Sequence, residues 1–524
     1  MDNPFIEQAE IQFLLGLPGE ALQTARMGLT LFRDDTRLLE LAAGYANALG
    51  EDQYALGCWQ RLFELDPSSP SVCNSLALTL ARLQHSDEAE LVYREGLAAF
   101  PDAAALRANL GLLLENTGRL DEAEHYQREA LALAPDSAEI CSNLACLLVK
   151  LGGEAEAENL YRQAINLQPD FASAYANLGV LLTDCGRQVE AEDCFRQALE
   201  IQPDSQVARM NLGQLLLLQG RFAEGWVFHE ERLYVYAEDG SGPHLAPPPC
   251  PQWQGEALAG KAIMVLPEQG LGDEIQFVRY VAWLKAQGPA QLTLICRPSQ
   301  KALLATLAGP DRLLSLDEAG PYLAGQDYWT LLLSLPLHAG TRLETIPAAI
   351  PYLFPDPVRQ ARHASLLAGG GLRVGLVWRG NPWHSNDGER SLSGLEVLAP
   401  LWSVRGVRFF SLQKSENSLP PSPGEQPLVD LAPAIDDMAD SAAMLSQLDL
   451  LICVDTAMAH LAGALGVPCW LLLPSYKADW RWLQGRGDSP WYPGMRLFRQ
   501  PRRGDWPPVI AEVAGALQLL RDAA

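Results

Sequence analysis

The chain has 524 residues, 64 of them acidic and 39 basic, for a formal net charge of −25. That length calls for more than one hydrophobic core, and 48% apolar with 20% charged residues describes a folded chain, not a disordered one. The acidic excess argues against nucleic acid or an anionic membrane surface as the main partner, because both need a positive footprint.

The first ten residues contain acids and no apolar run of leader length, so no secretion signal is expected. Ten cysteines lack metal-ligand spacing, and Cys58, Cys141, Cys146 and Cys194 sit where a small apolar residue would fit. A reduced, cytoplasmic compartment is the expectation. Asp455 and His460 interrupt the most apolar C-terminal stretch, which argues against a membrane span there.

Residues 1–236 are expected to form a helical array. Pro67, Pro101, Pro135, Pro169 and Pro203 recur every 34 residues, and Ala55, Ala89, Ala123, Ala157 and Ala191 keep the same interval. A proline stops a helix, and a small residue marks where two helices touch. Repeats are therefore placed at 36–69, 70–103, 104–137, 138–171 and 172–205, after an irregular unit at 2–35 and before a partial one from Gln206 to about Tyr236. The first helix of each carries a large apolar residue and then a small one, as in Leu110-Gly111, Leu144-Ala145, Leu178-Gly179 and Leu212-Gly213. No such pair buries its own apolar face, so the units must stack. This 34-residue period resembles the tetratricopeptide repeat.

Asn109, Asn143, Asn177 and Asn211 share one position in four consecutive repeats. A side-chain amide offers a donor and an acceptor together, which matches one peptide unit of any sequence. The ladder is thus a candidate site for an acceptor peptide, the alternative being bonds between neighbouring helices within the stack.

Residues 237–256 read as a linker, with Gly240, Gly242, Pro243 and the run Pro247-Pro248-Pro249. Short apolar runs then alternate with helical segments: Ala262–Leu266, Gln291–Cys296, Tyr328–Leu335, Leu372–Trp378, Val407–Leu412 and Leu448–Val454. This is the rhythm of buried parallel strands with crossover helices. The expected architecture is an α-solenoid followed by two doubly wound α/β lobes, 257–368 and 369–524, with a cleft between the carboxyl ends of their sheets.

Three segments at strand ends could carry chemistry. Glu268-Gln269-Gly270-Leu271-Gly272-Asp273 is a glycine turn opening a helix, where backbone amides can approach a ligand and Asp273 either caps the helix or faces the cleft. It lacks the third glycine of the dinucleotide fingerprint. Asp455-Thr456-Ala457-Met458-Ala459-His460 also opens a helix, with free amides suited to a diphosphate, Thr456 as a hydroxyl donor and His460 one turn on. The plainer reading makes Asp455 a cap and His460 a buried core histidine. Third, the stretch from Trp378 through Asn381 to Asp387, then Arg390, with Gln413 and Lys414 after the next strand, brings cations to adjacent strand ends. Aromatics crowd Tyr476 to Tyr492 around Asp479, fitting either a sugar contact or a packed segment closing on the first lobe.

From about Pro251 onward, the Gly-x-Gly-Asp turn and the Asp-Thr-x-x-x-His-x-Ala segment resemble the two ends of the cleft in heptosyltransferases of lipopolysaccharide synthesis, which have the GT-B fold. A repeat solenoid joined to such lobes resembles protein O-GlcNAc transferase and bacterial repeat-plus-glycosyltransferase proteins. The resemblance implies Asp273 as catalytic base, Thr456 and His460 on the donor diphosphate, Asp455 on the donor sugar, Lys414 at the leaving group, and Asp437 and Met438 beside the nucleotide base. Ala457 departs from the glycine usual there and narrows the room for phosphate. The donor-side set is Gly270, Gly272, Asn381, Arg390, Gln413, Lys414, Asp437, Met438, Asp455, Thr456, Ala457 and His460. No Asp-x-Asp metal signature occurs, so metal-independent transfer with inversion is implied, from a nucleotide sugar as co-substrate to a protein hydroxyl. A lipopolysaccharide or other saccharide acceptor, and a non-catalytic repeat scaffold, are the alternatives; a homo-oligomer is compatible with each.

Overall fold

The computed structural model describes residues 3–67, 69–234, 248–384, 386–414 and 419–523. Most of the expected linker, and Ser385 of the third segment, lie outside them. The chain divides into two compact units, Met1–Leu181 and Leu182–Ala524.

The first unit is a series of antiparallel helix pairs, and its sequence period has a local cause at each position. In these repeats the second helix ends two residues before the periodic proline: Asp66, Phe100, Ala134 and Gln168 are the C-caps that precede Pro67, Pro101, Pro135 and Pro169. The next helix is opened by a side chain in several repeats, with Asp35, Ser69 and Ser137 accepting from the backbone N–H three residues on. Between the helices of a pair, Gly16, Gly50, Gly118 and Gly152 adopt φ of 75 to 80°, and Gln84 takes the same left-handed place at 64°. The periodic alanines are fully buried. At Gly111 a Cβ would meet the Gln127 side chain at 2.9 Å, so only glycine admits the buried amide that donates to the Ala108 carbonyl at 2.9 Å. The solvent face carries i,i+4 ion pairs, Arg94–Glu90, Arg128–Glu124 and Arg162–Glu158 at 2.6 to 2.8 Å. Their exposure limits each to a few tenths of a kcal/mol.

The second unit begins with helices of the same repeat pattern, Gln188–Ile201, Gln206–Leu218 and Phe222–His229. It continues into two wholly parallel sheets. Strands β1 (Ala262–Leu266), β2 (Gln291–Cys296), β3 (Arg312–Ser315) and β4 (Tyr328–Leu331) form a sheet of order β3-β2-β1-β4. Strands β5 (Leu372–Val377), β6 (Val407–Ser411), β7 (Leu428–Asp430), β8 (Leu450–Val454), β9 (Cys469–Leu473) and β10 (Met495–Arg499) form one of order β10-β9-β8-β5-β6-β7. β8 and β9 are buried at every residue, as strands covered on both faces must be. The run expected as a strand to Leu335 stops at Leu331, because the Leu333 amide turns to donate to Glu268 Oε1 at 2.9 Å and Pro336 then enters a short helix. Strand order reverses between β1 and β4 and again between β5 and β8, and at such points ligands bind beyond the carboxyl ends of parallel strands.

Candidate functional site

The turn after β1 and the turn after β8 are brought together by a helix contact that needs glycine. Helix Leu271–Phe277 lies against helix Ala457–Leu465, and a Cβ on Gly272 would stand 2.8 Å from His460 Cδ2 and 3.5 Å from Ala457 Cα. Asp273 is a cap: one oxygen accepts from the Gly270 amide at 2.8 Å. It is also more than a cap. Its other oxygen accepts a short bond from Arg481, a 5% exposed residue absent from the sequence-based set. The same guanidinium donates to Asp479 at 3.0 and 3.1 Å and to Gln276 at 2.9 Å. One buried arginine thus ties a carboxylate of the turn after β1 to one of the segment after β9.

Around it lie titratable groups displaced from their usual ranges. Burial, reinforced by the charge of Asp479, pushes Asp455 up to about 6. Burial and the nearby Arg481 push His460 down to about 3, so it is a neutral ring; its Nδ1 lies 3.0 Å from the Tyr492 hydroxyl. Burial works against ionised Asp479, but Arg481 holds it below the usual range. On the far side of the turn, burial raises Glu274 to about 7 against the pull of Arg297.

Thr456 sits at the N-cap of helix Ala457–Leu465 without capping it, and its hydroxyl oxygen is buried with no hydrogen-bond partner among the described residues. The nearby Arg390 acts on the charge of Asp455. Gly270, Gly272, Asp273, Arg390, Asp455, Thr456, Ala457 and His460 therefore belong to one neighbourhood.

The remaining expected residues make the following contacts. Gln413 accepts from the amides of Trp378 and Arg379 at 3.1 and 2.9 Å and so ties two strand-end loops together. Lys414 donates to the Ile435 carbonyl at 2.5 Å, and Asn381 accepts from the Trp383 amide at 3.1 Å. Asp437 caps helix Met438–Leu445 through the Ala439 and Asp440 amides and pairs with Arg359 at 2.6 and 2.9 Å, while Met438 packs on the core. The four ladder asparagines are all half-buried. Asn109 donates to Asn74 at 2.6 Å and Asn177 to Cys146 at 3.3 Å, so part of the ladder serves contacts between neighbouring repeats.

The aromatic cluster is core. Trp480, Trp482, Trp491 and Tyr492 are 8% exposed or less, and Phe222 and Trp226 pack among them, with Trp226–Trp480 centroids 5.5 Å apart and Phe222–Trp491 5.7 Å. Arg279 complements Arg481 from the other side, donating to the Trp491 carbonyl at 2.9 Å and lying over the Tyr492 ring at 4.8 Å.

Models of the tetratricopeptide repeat match residues 101–170, 172–205 and 189–225. The front half of the chain is built of tetratricopeptide repeats. Protein FlbA of Caulobacter vibrioides is 29% identical over 324 residues, covering 57% of this chain and 53% of that protein. The chain thus spans about half the length of the curated relative it matches. Among solved structures, a tetratricopeptide repeat protein from Parabacteroides merdae is 20% identical with a TM-score of 0.37, covering 40% of this chain and 83% of its own. A thermophilic repeat protein of Thermus thermophilus is 24% identical with a TM-score of 0.31, covering 34% and 97%. Among the described residues, no helix is long and apolar enough to cross a membrane.

Proposed function

We propose that the α/β region is a GT-B glycosyltransferase that moves a sugar from a nucleotide sugar to a protein Ser or Thr hydroxyl, with inversion and without a metal, while the repeats hold the acceptor. The observation that carries this reading is the pair of facing turns: a carboxylate at the carboxyl end of β1 and an uncapped helix N-terminus at the carboxyl end of β8. The first suits removal of a proton from an attacking hydroxyl, and general-base help of that kind is worth about 10²- to 10⁴-fold. The second offers free amides and the Thr456 hydroxyl to a departing diphosphate, the electrostatic contribution that is usually larger. Asp273 is the proposed base, with Arg481 fixing the direction of its carboxylate. Arg390 and Thr456 are the proposed diphosphate contacts, and Asp455 the proposed contact to the donor sugar. Neutral His460 would donate or accept a hydrogen bond without adding charge.

Stacked repeats of this type present extended surfaces for protein partners, which supports a protein acceptor over a lipid-linked one. Thermal-shift measurement with nucleoside diphosphates and nucleotide sugars tests the reading. A rise in Tm with one nucleotide series, followed by sugar release from that donor, is the expected result. No stabilisation by any of them would leave the repeat scaffold as the function.

A further inference from the structure

The last repeat breaks its own period at three positions, and each break is used. Glu90, Glu124, Glu158 and Glu192 share one place in four repeats and pair with an arginine four residues on. In the next repeat that place is Trp226, and the arginine is replaced by Glu230. Gly96, Ala130, Ala164 and Ala198 share the small buried position of the second helix, where the last repeat has Arg232. A solvated, charge-paired helix face has become apolar, and a packing alanine has become a guanidinium.

Both replacements point into the α/β region. Trp226 donates from its indole to the Thr341 carbonyl at 3.2 Å and packs edge-on to Phe277 and Trp480. Arg232, 0% exposed, meets Glu268 with two bonds of 2.9 Å and adds Ser334 at 2.9 Å, the His229 carbonyl at 3.1 Å and Glu230 at 2.5 Å. Glu268 is itself 4% exposed and also takes the Leu333 amide. Such a buried pair is costly to break, because removing one partner strands the other charge.

Glu268 is the first residue of the glycine turn. The next, Gln269, is held at a φ of 57°, with its carbonyl accepting a short bond from Arg297. A non-glycine residue resists that conformation by about 1 kcal/mol and keeps it only where surrounding contacts over-determine it. Arg297 holds the turn from the sheet side and Arg232, through Glu268, from the repeat side.

We infer that Arg232 is a positioning residue: from the end of the last repeat it fixes Glu268, and thereby sets the geometry of the Gln269–Asp273 turn. The inference rests on the reading of Asp273 as the base for its consequence in turnover, but not for its structural content. Hydrogen exchange on full-length Arg232→Lys and Glu268→Gln tests it. The Gly270 to Asp273 amides should exchange at least tenfold faster while those of β1 keep their rates, and in a donor-turnover assay kcat should fall with the donor KM little changed. Guanidinium ion at millimolar concentration should restore protection to Arg232→Ala. Unchanged turn exchange in a folded variant overturns the inference, whereas a loosened turn with wild-type kcat supports it and counts only against Asp273 as the base. Should the variants not fold, the wild-type chain in rising urea decides: a common opening of the Trp226 to Arg232 and Gly270 to Asp273 amides supports the link, and separate openings overturn it. Absence of any donor turnover in the wild-type protein would count against the transferase reading alone, since the exchange result stands without substrate.

Discussion

In the repeat unit the bonds that matter join residues about one period apart, such as Arg119 to Glu90, 29 residues away, and Asn109 to Asn74, 35 away. In the α/β region the bonds that join the two sheets' segments run from Arg481 to Asp273 across 208 residues and from Arg279 to Trp491 across 212. The first kind of structure is a sum of nearest-neighbour terms, so damage in one place is bounded. The second depends on a few long-range contacts, so one side chain can remove the site.

The largest expected effect therefore comes from Arg481. Arg481→Met strands two carboxylates, Asp273 and Asp479, which are 19% and 35% exposed, so the cost should be about 1–3 kcal/mol, below that of a fully buried pair; urea denaturation measures it, and a loss below 1 kcal/mol would mean that water replaces the guanidinium. Asp273→Asn keeps the cap to Gly270 but not the base, so transfer should fall about 10²- to 10⁴-fold with nucleotide affinity nearly unchanged. Wild-type transfer by that variant would return Asp273 to a purely structural role.

A smaller effect should follow pH. Asp455 has its folded pKa raised to about 6, above the unfolded value. The protonated form is thus favoured in the fold, and stability from this group is present below the unfolded pKa and declines as pH rises through 6. Ionised Asp455 also repels an anionic diphosphate, so nucleoside diphosphate affinity, read by calorimetry, should weaken between pH 5 and 7.5, and Asp455→Asn should flatten the profile. An unchanged slope in the variant would assign the titration elsewhere.

The smallest effect belongs to the repeats. Gln84 stands at φ 64° where the matching positions hold glycine. Gln84→Gly should raise stability by up to about 1 kcal/mol, and Gly118→Ala should lower it by about 1–2 kcal/mol. Thermal melts of the full chain report both, and a destabilising Gln84→Gly would show that its side chain contributes more than its backbone conformation costs. Replacing Asn109, Asn143, Asn177 and Asn211 by Ala should weaken protein acceptors while sparing donor hydrolysis; equal losses in both would make the ladder structural.

Legibility in the sequence divides along the same line. The periodic prolines and alanines read directly as helix ends and helix contacts, and the left-handed glycines at the same interval were equally open to reading. The two glycine and aspartate turns were legible because each lies between a strand and a helix of its own. The aromatic stretch was not, since Trp480 and Trp491 could face a sugar or a core until Phe222 and Trp226 arrived from another element. Asp437 was named as a donor contact only through the family resemblance, and only Arg359 from a distant helix reveals its ion pair. Arg232 could have been found by aligning the last repeat with its predecessors, where it replaces an alanine.

What the sequence by itself determined was every feature carried by local backbone preference repeated at a fixed interval: helix length, turn conformation, stacking and the parallel strands beyond. Only the tertiary structure decided which carboxylates come together, which arginine holds them and how the last repeat is tied to the turn after β1. Charges separated by some 200 residues come together through packing, and the free energy of burying them depends on partners that no local pattern names.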